Sequence, residues 1–121
     1  MIYNSPFDLV GNTPVVRIGT QNGATLWAKL EGANPSGSLK DRTASAFVKQ
    51  GIKDFGNNRT FIDASSGSFA CGLAYYARVA KIPCTVVVNS KISDDNLAFL
   101  YTQGAEVIKH GTVTGESREH C

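Results

Sequence analysis

Lys40 ends a run of small, turn-forming residues, Asn34-Pro35-Ser36-Gly37-Ser38-Leu39-Lys40-Asp41-Arg42, and a helical pattern begins there at once. An amine held at a fixed point with little bulk around it can form a Schiff base with an aldehyde. A lysine placed only for solubility sits better at the other end of a helix, near the carbonyl groups. A second candidate is Ser65-Ser66-Gly67-Ser68. It offers hydroxyls, backbone N–H donors and a helix N-terminus aimed at one point, which suits a carboxylate or phosphate. Each has an ordinary alternative: a solvated charge for Lys40, simple helix capping for the serines.

The other polar residues carry less. Gly32 and Gly37 have the separation of a P-loop, but Ser38 stands where its lysine belongs, and no G-x-G-x-x-G follows a strand. His110 and His120 are far apart in sequence, with no Ser or Cys nucleophile pattern near them, and read as surface residues. Asp94-Asp95 reads as a helix start. Cys71, Cys84 and Cys121 have no metal-ligand spacing. The first two lie in apolar contexts and read as core thiols, so a reducing, cytoplasmic setting is expected.

The elements that must position these groups follow from periodicity. Gly11-Asn12-Thr13-Pro14 is a turn signal before a short strand, Val15 to Ile18; Asn22-Gly23 is a hairpin turn, and Thr25 to Leu30 returns. Gly32 to Ser38 is a loop. Ser38 is the expected cap of the first helix, with Asp41 in the capping-box position. Ala44, Phe47, Val48, Ile52 and Phe55 recur at helical spacing, and Gly56 stops the helix. Strand Thr60 to Asp63 leads through the serine loop to a helix from Phe69 to about Ala80, with Phe69, Leu73, Ala77 and Ala80 on one side. Strand Cys84 to Val88 is apolar on both faces, which predicts an interior parallel strand. A helix capped by Ser93 or Asp94 includes Leu97, Leu100 and Tyr101 and ends at Gly104. Strand Glu106 to Lys109 follows, and Glu116 to His120 looks like one more helix starting. This order predicts an α/β fold, a doubly wound parallel sheet preceded by an N-terminal β-hairpin.

The 121 residues make one domain or part of one, with 42% hydrophobic and 18% charged residues, ordinary for a globular chain. Net charge is +2 and the basic residues do not cluster, so no nucleic-acid partner is expected. The longest strongly apolar run, Cys84 to Val88, is too short for a membrane span, and the start has no signal-peptide pattern.

Taken together, these segments resemble the cysteine synthase and cystathionine β-synthase branch of the fold-type-II pyridoxal-phosphate enzymes. Gly11-Asn12-Thr13-Pro14-Val15-Val16-Arg17 resembles that family's N-terminal signature. Ala28-Lys29-Leu30-Glu31, followed by Asn34 to Arg42, resembles its cofactor-lysine motif. Ser65-Ser66-Gly67-Ser68 sits where the family has its substrate-carboxylate loop, and Gly104-Ala105-Glu106-Val107-Ile108 matches its strand entry. The resemblance runs in order from about Gly11 to Lys109.

It implies a three-layer fold like the tryptophan synthase β chain, here incomplete. Residues 36–121 would lie in a small mobile domain and 1–35 at the start of a large one. The implied activity is β-replacement, a transferase or lyase reaction of cysteine biosynthesis. Lys40 would bind pyridoxal 5′-phosphate as a Schiff base and later take the substrate α-proton. Ser65, Ser66 and Gly67 would hold the carboxylate of an O-activated serine, and Ser68 would face the cofactor. Loss of the leaving group and addition of sulfide or another nucleophile would complete the cycle. A homodimer is implied for the full-length protein.

Two departures stand out. The family loop reads Thr-Ser-Gly-Asn-Thr, whereas Ser68 and Phe69 stand in place of its last two residues, which suggests a divergent substrate. The chain is also much shorter than the family's, and the family's phosphate loop lies in the part that would follow. Cys121 therefore reads as a cut end, and the 121-residue piece alone is expected to be inactive. The alternative is a non-catalytic module of the same ancestry that binds a small carboxylate or a protein partner.

Overall fold

A computed structural model describes residues 2–121. Two-residue hairpins need positive φ at both turn positions, and Asn22-Gly23 supplies it, with φ of 50° and 80°. The turn joins β1 (Val15–Gln21) to β2 (Ala24–Lys29) in an antiparallel pair, with the register shifting between Arg17 and Gly19. β1 thus runs three residues past the predicted end at Ile18. Glycine at 19, with φ of 159°, lets the strand pass the irregularity and go on pairing.

After a short 3-10 turn at Glu31–Ala33, α1 runs from Lys40–Phe55 and stops at Gly56, whose φ is 72°. Half of the predicted capping box is present: the Asp41 carboxylate accepts the Ser38 N–H at 3.1 Å, but the Ser38 hydroxyl accepts the Lys40 N–H at 3.1 Å, and the Asp41 N–H turns to the Ser38 carbonyl instead. α1 is counted from Lys40, but Leu39 already has helical dihedrals, so the helical conformation starts directly after Ser38.

The buried face of α1 differs from the sequence expectation. Asp41, Ala44, Ser45 and Val48 are buried, whereas Phe47 and Phe55 are 50% and 67% exposed. The small residues face inward because α2 lies close against them. A Cβ on Gly72 would stand 3.0 Å from the Ala44 Cβ.

β3 (Phe61–Ala64), α2 (Ser68–Val79), β4 (Cys84–Val88), α3 (Asp94–Thr102), β5 (Glu106–Lys109) and α4 (Thr114–His120) then alternate. The three strands form a parallel sheet in the order β3-β4-β5. β4 lies in the centre, as its all-apolar sequence requires. Cys84, Val86 and Val88 point toward α2 and join the core with Leu73, Tyr76, Ala77, Leu100 and Ala105. Ala64 and Val87 point the other way and are also buried. α4 packs against β3 and β4, so both faces of the sheet are covered and the winding is double. α4 is a formed helix whose Ser117 hydroxyl donates to the His110 carbonyl at 2.6 Å. His110 and His120 are exposed, as expected, but α4 brings their rings into a stack at 4.3 Å. Cys71 and Cys84 are buried thiols.

The helix Ser68–Val79 is apolar nearly all round rather than on the one side that Phe69, Leu73, Ala77 and Ala80 suggested. It is sandwiched between α1 and the sheet. Tyr76 is its largest fully buried side chain.

Candidate active site

α1 starts at Lys40, and successive helical residues point about 100° apart. Three consecutive residues therefore face three directions here. Lys40 points outward and is exposed, and its amine makes no hydrogen bond or ion pair among the described residues. Asp41 points inward and is fully buried. Arg42 turns to the preceding segment, where its Nε and Nη2 donate to the two Glu31 carboxylate oxygens at 2.8 and 2.9 Å.

Each neighbour of Lys40 anchors a different part of the chain. Glu31 also accepts from the Thr13 hydroxyl at 2.6 Å and from Asn34 Nδ2 at 3.1 Å. The Arg42 guanidinium and these donors hold the Glu31 carboxyl down at about 2. Buried Asn34 accepts the Gly11 N–H and donates to the Ser38 carbonyl, so Gly11-Asn12-Thr13 is fastened to the loop before Lys40. On the other side Asp41 accepts from the Ser36 N–H, the Ser36 hydroxyl, the Ser38 N–H and the Tyr76 hydroxyl of α2. Burial, and the carboxylate it donates to, push the Tyr76 phenol far up, so it remains a donor.

A cleft of about 250 Å³ opens beside this loop. Ser36, Gly37 and Ser38 form one wall, Ser68 and Cys71 of α2 the second, and Asp95, Asn96 and Phe99 of α3 the third. Of the predicted site residues, Ser68 lines it directly. Lys40 stands two residues beyond the Ser38 wall. Ser65, Ser66 and Gly67 lead into Ser68 without lining the cleft themselves. The Ser66 hydroxyl accepts the Asn89 N–H at 3.1 Å, and the Ser66 carbonyl accepts Asn96 Nδ2 at 3.0 Å. The loop is thus pinned to β4's end and to α3. Gly67 precedes α2 in extended conformation and no side chain caps this helix start. Cys71 is buried enough that its thiol is pushed up, so it is a neutral wall and not a nucleophile at neutral pH.

These residues fit an anionic ligand carrying an aldehyde. The Lys40 amine is uncommitted, and an uncapped helix N-terminus opens near the cleft's second wall. Sequence reasoning missed Tyr76, Asn34, Asn89 and Asn96. Asn34 opens the lysine motif without showing its anchoring role, and the other three have no motif; the partners that bury them or pin the loop lie 3 to 35 residues away.

A profile of the family described as pyridoxal-phosphate dependent enzyme matches residues 6–121. N-(2-amino-2-carboxyethyl)-L-glutamate synthase of Cupriavidus metallidurans is 38% identical over 112 residues, which cover 88% of this chain and 33% of that protein. The fold is similar to that of a hydrogen sulfide-producing enzyme from Fusobacterium nucleatum, with a TM-score of 0.91 and 31% identity over 99% of this chain and 41% of the other. It is similar also to cysteine synthase from Entamoeba histolytica, with a TM-score of 0.91 and 26% identity over 99% of this chain and 39% of the other. The chain spans 33% of the length of the curated relatives it matches.

Proposed function

Because the chain belongs to the pyridoxal-phosphate dependent enzyme family, with the α/β fold of the cysteine synthases, we propose that it forms the N-terminal part of a β-replacement enzyme. In this reading the protein makes L-cysteine, or a close analogue, from an O-activated serine and a nucleophile. The observation that carries it is the uncommitted Lys40 amine at the start of α1, two residues after Ser38, which with Ser68 lines a cleft that Lys40 itself does not line. Pyridoxal phosphate, when bound, supplies an electron sink for charge developing at a substrate's α-carbon. Lys40 would hold the cofactor through its aldehyde, and its amine would move the proton at the substrate α-carbon. Ser65, Ser66 and Gly67 would bind the substrate carboxylate, and Ser68 would contact the cofactor. With its oxygen accepting from Asn89, the Ser66 hydroxyl keeps one proton to donate.

The nucleophile divides into two classes. Sulfide is the choice suggested by the cysteine synthase likeness. An amino-acid amine is suggested by the Cupriavidus relative, whose product name places a 2-amino-2-carboxyethyl group on glutamate nitrogen. In the same reading residues 36–121 belong to a small mobile domain and 1–35 to the start of a large one. The complete protein acts as a cytoplasmic homodimer. No helix among the described residues is long and apolar enough to cross a membrane.

The test is spectroscopic. The complete protein given pyridoxal phosphate should develop a yellow absorbance band that Lys40→Ala abolishes. A colourless protein overturns the assignment and favours a non-catalytic binding module; a band unchanged in Lys40→Ala overturns Lys40 as the cofactor lysine.

A further inference from the structure

Asp41 is a fully buried carboxylate with no cation on it, immediately after the lysine on which the proposed function rests. Such a group is costly to bury unless its lone pairs are all met. Here they are. Oδ1 accepts the Ser36 N–H at 2.8 Å and the Tyr76 hydroxyl at 2.6 Å. Oδ2 accepts the Ser36 hydroxyl at 2.6 Å and the Ser38 N–H at 3.1 Å. Asp41 also lies in the first turn of α1, where the helix end favours a negative charge.

The donors define what the carboxylate does. Three of the four come from Ser36 and Ser38, which form a wall of the cleft. The fourth comes from α2, the helix that begins at Ser68 on the facing wall. One carboxylate therefore ties the loop that leads into Lys40 to the helix that carries Ser68. The close approach at Gly72 completes the same seam: a Cβ there would stand 3.7 Å from both the Lys40 carbonyl and the Ser36 Oγ. With its N–H and hydroxyl both turned down to Asp41, Ser36 offers the cleft little more than its shape.

We propose that Asp41 is the positioning residue of this site: acting through Ser36, Ser38 and Tyr76, it fixes the first turn of α1, and so the root of Lys40, against the N-terminal half of α2. The proposal rests on the reading of Lys40 as the cofactor lysine for its consequence, though not for its geometry. It explains why the residue is an aspartate and not an asparagine. Each oxygen serves one backbone N–H, that of Ser36 or that of Ser38. Hydroxyl donors can rotate away from a new NH₂ group, but backbone donors cannot. Whichever way an asparagine amide is placed, one half-buried loop N–H loses its acceptor.

Asp41→Asn, Tyr76→Phe and Ser36→Ala test this, with Val48→Ala as a control that loosens the α1 core without touching the loop. Two readouts are taken on the folded proteins. The first is amide hydrogen exchange at Ser36 and Ser38 without cofactor. The second follows addition of pyridoxal phosphate and borohydride reduction, with mass spectrometry giving the share of label on Lys40 relative to the other lysines. Asp41→Asn is expected to speed exchange at one of the two amides and to lower the Lys40 preference roughly tenfold, with smaller losses in Tyr76→Phe and Ser36→Ala. Val48→Ala should leave the preference unchanged at matched stability. Should Asp41→Asn fail to fold, Tyr76→Phe and Ser36→Ala carry the same comparison. Exchange and label distribution unchanged in the folded variants, or a loss equal to that in Val48→Ala, overturns the positioning role. Absence of any Lys40 preference in the unaltered protein overturns the cofactor reading instead, and the exchange data then decide the clamp alone.

Discussion

Three adjacent side chains divide the work at the start of α1, and each can be probed where it acts. Arg42 and Glu31 form a two-pronged ion pair that a lysine at position 42 could not reproduce. Its effect on stability has a definite pH signature. The Glu31 carboxyl is lowered from 4.5 to about 2 in the folded chain, with the Arg42 hydrogen bond the largest cause, then Thr13. A depressed carboxyl contributes its stability above the unfolded value and loses it as pH falls through the folded value. The contribution is therefore complete above about pH 5 and fades between there and pH 2. Thermal melts across this range should show a steeper acid loss for the natural chain than for Glu31→Gln. Parallel curves would show that the pair adds nothing, as exposed ion pairs often do.

At the scale of elements, the contact that matters most to the site is α1 against α2, and Gly72 tests it, with Gly115 of α4 as a control of opposite sign. Gly72→Ala gains roughly 1 kcal/mol of helix propensity but forces a methyl group to within 3.0 Å of Ala44. Overpacking typically costs about 1–3 kcal/mol, so the net effect should be destabilising. Gly115→Ala in α4 meets nothing within 4 Å and should stabilise by up to about 1 kcal/mol. Denaturant midpoints measure both; a stabilised Gly72→Ala would mean that α1 can slide freely over α2. This seam also marks the limit of what the sequence displays. β4, β5 and the Asn22-Gly23 turn follow from local signals, apolar runs and turn chemistry, and appear where those signals place them. The inward face of α1 does not, because period-counting favours Phe47 and Phe55 over Asp41 and Ser45. Only the approach of α2 decides that small and polar residues go inside. Lys40 stands out in the sequence through its motif, and Ser68, which lines the cleft, through its loop. Tyr76 does not, since its reason for being buried is a carboxylate 35 residues earlier.

At the scale of the whole molecule, exposed large apolar side chains gather on two surfaces in particular. Val15, Val16, Ile18 and Trp27 stand open on the hairpin. Phe47, Phe55 and Ile62 border a groove of about 420 Å³ between α1 and the β3 edge. Exposed patches of this kind mark surfaces that pack against something. The cleft lined by Ser36 to Ser38 is likewise walled by that loop, α2 and α3, with more than half of each solved relative having no counterpart in this chain. Orientation and exclusion of water together supply much of an enzyme's rate, and misplacement by about 1 Å can cost about a hundredfold. On the proposed reading of the chain as part of a cysteine-forming enzyme, the 121 residues supplied with pyridoxal phosphate, O-acetylserine and sulfide should form cysteine at least about a hundredfold more slowly than the complete protein. Cysteine formation by the two, measured at equal cofactor loading, checks this. Equal rates would place the whole catalytic apparatus within α1, α2 and the serine loop, and would leave the exposed apolar faces without a part in the chemistry.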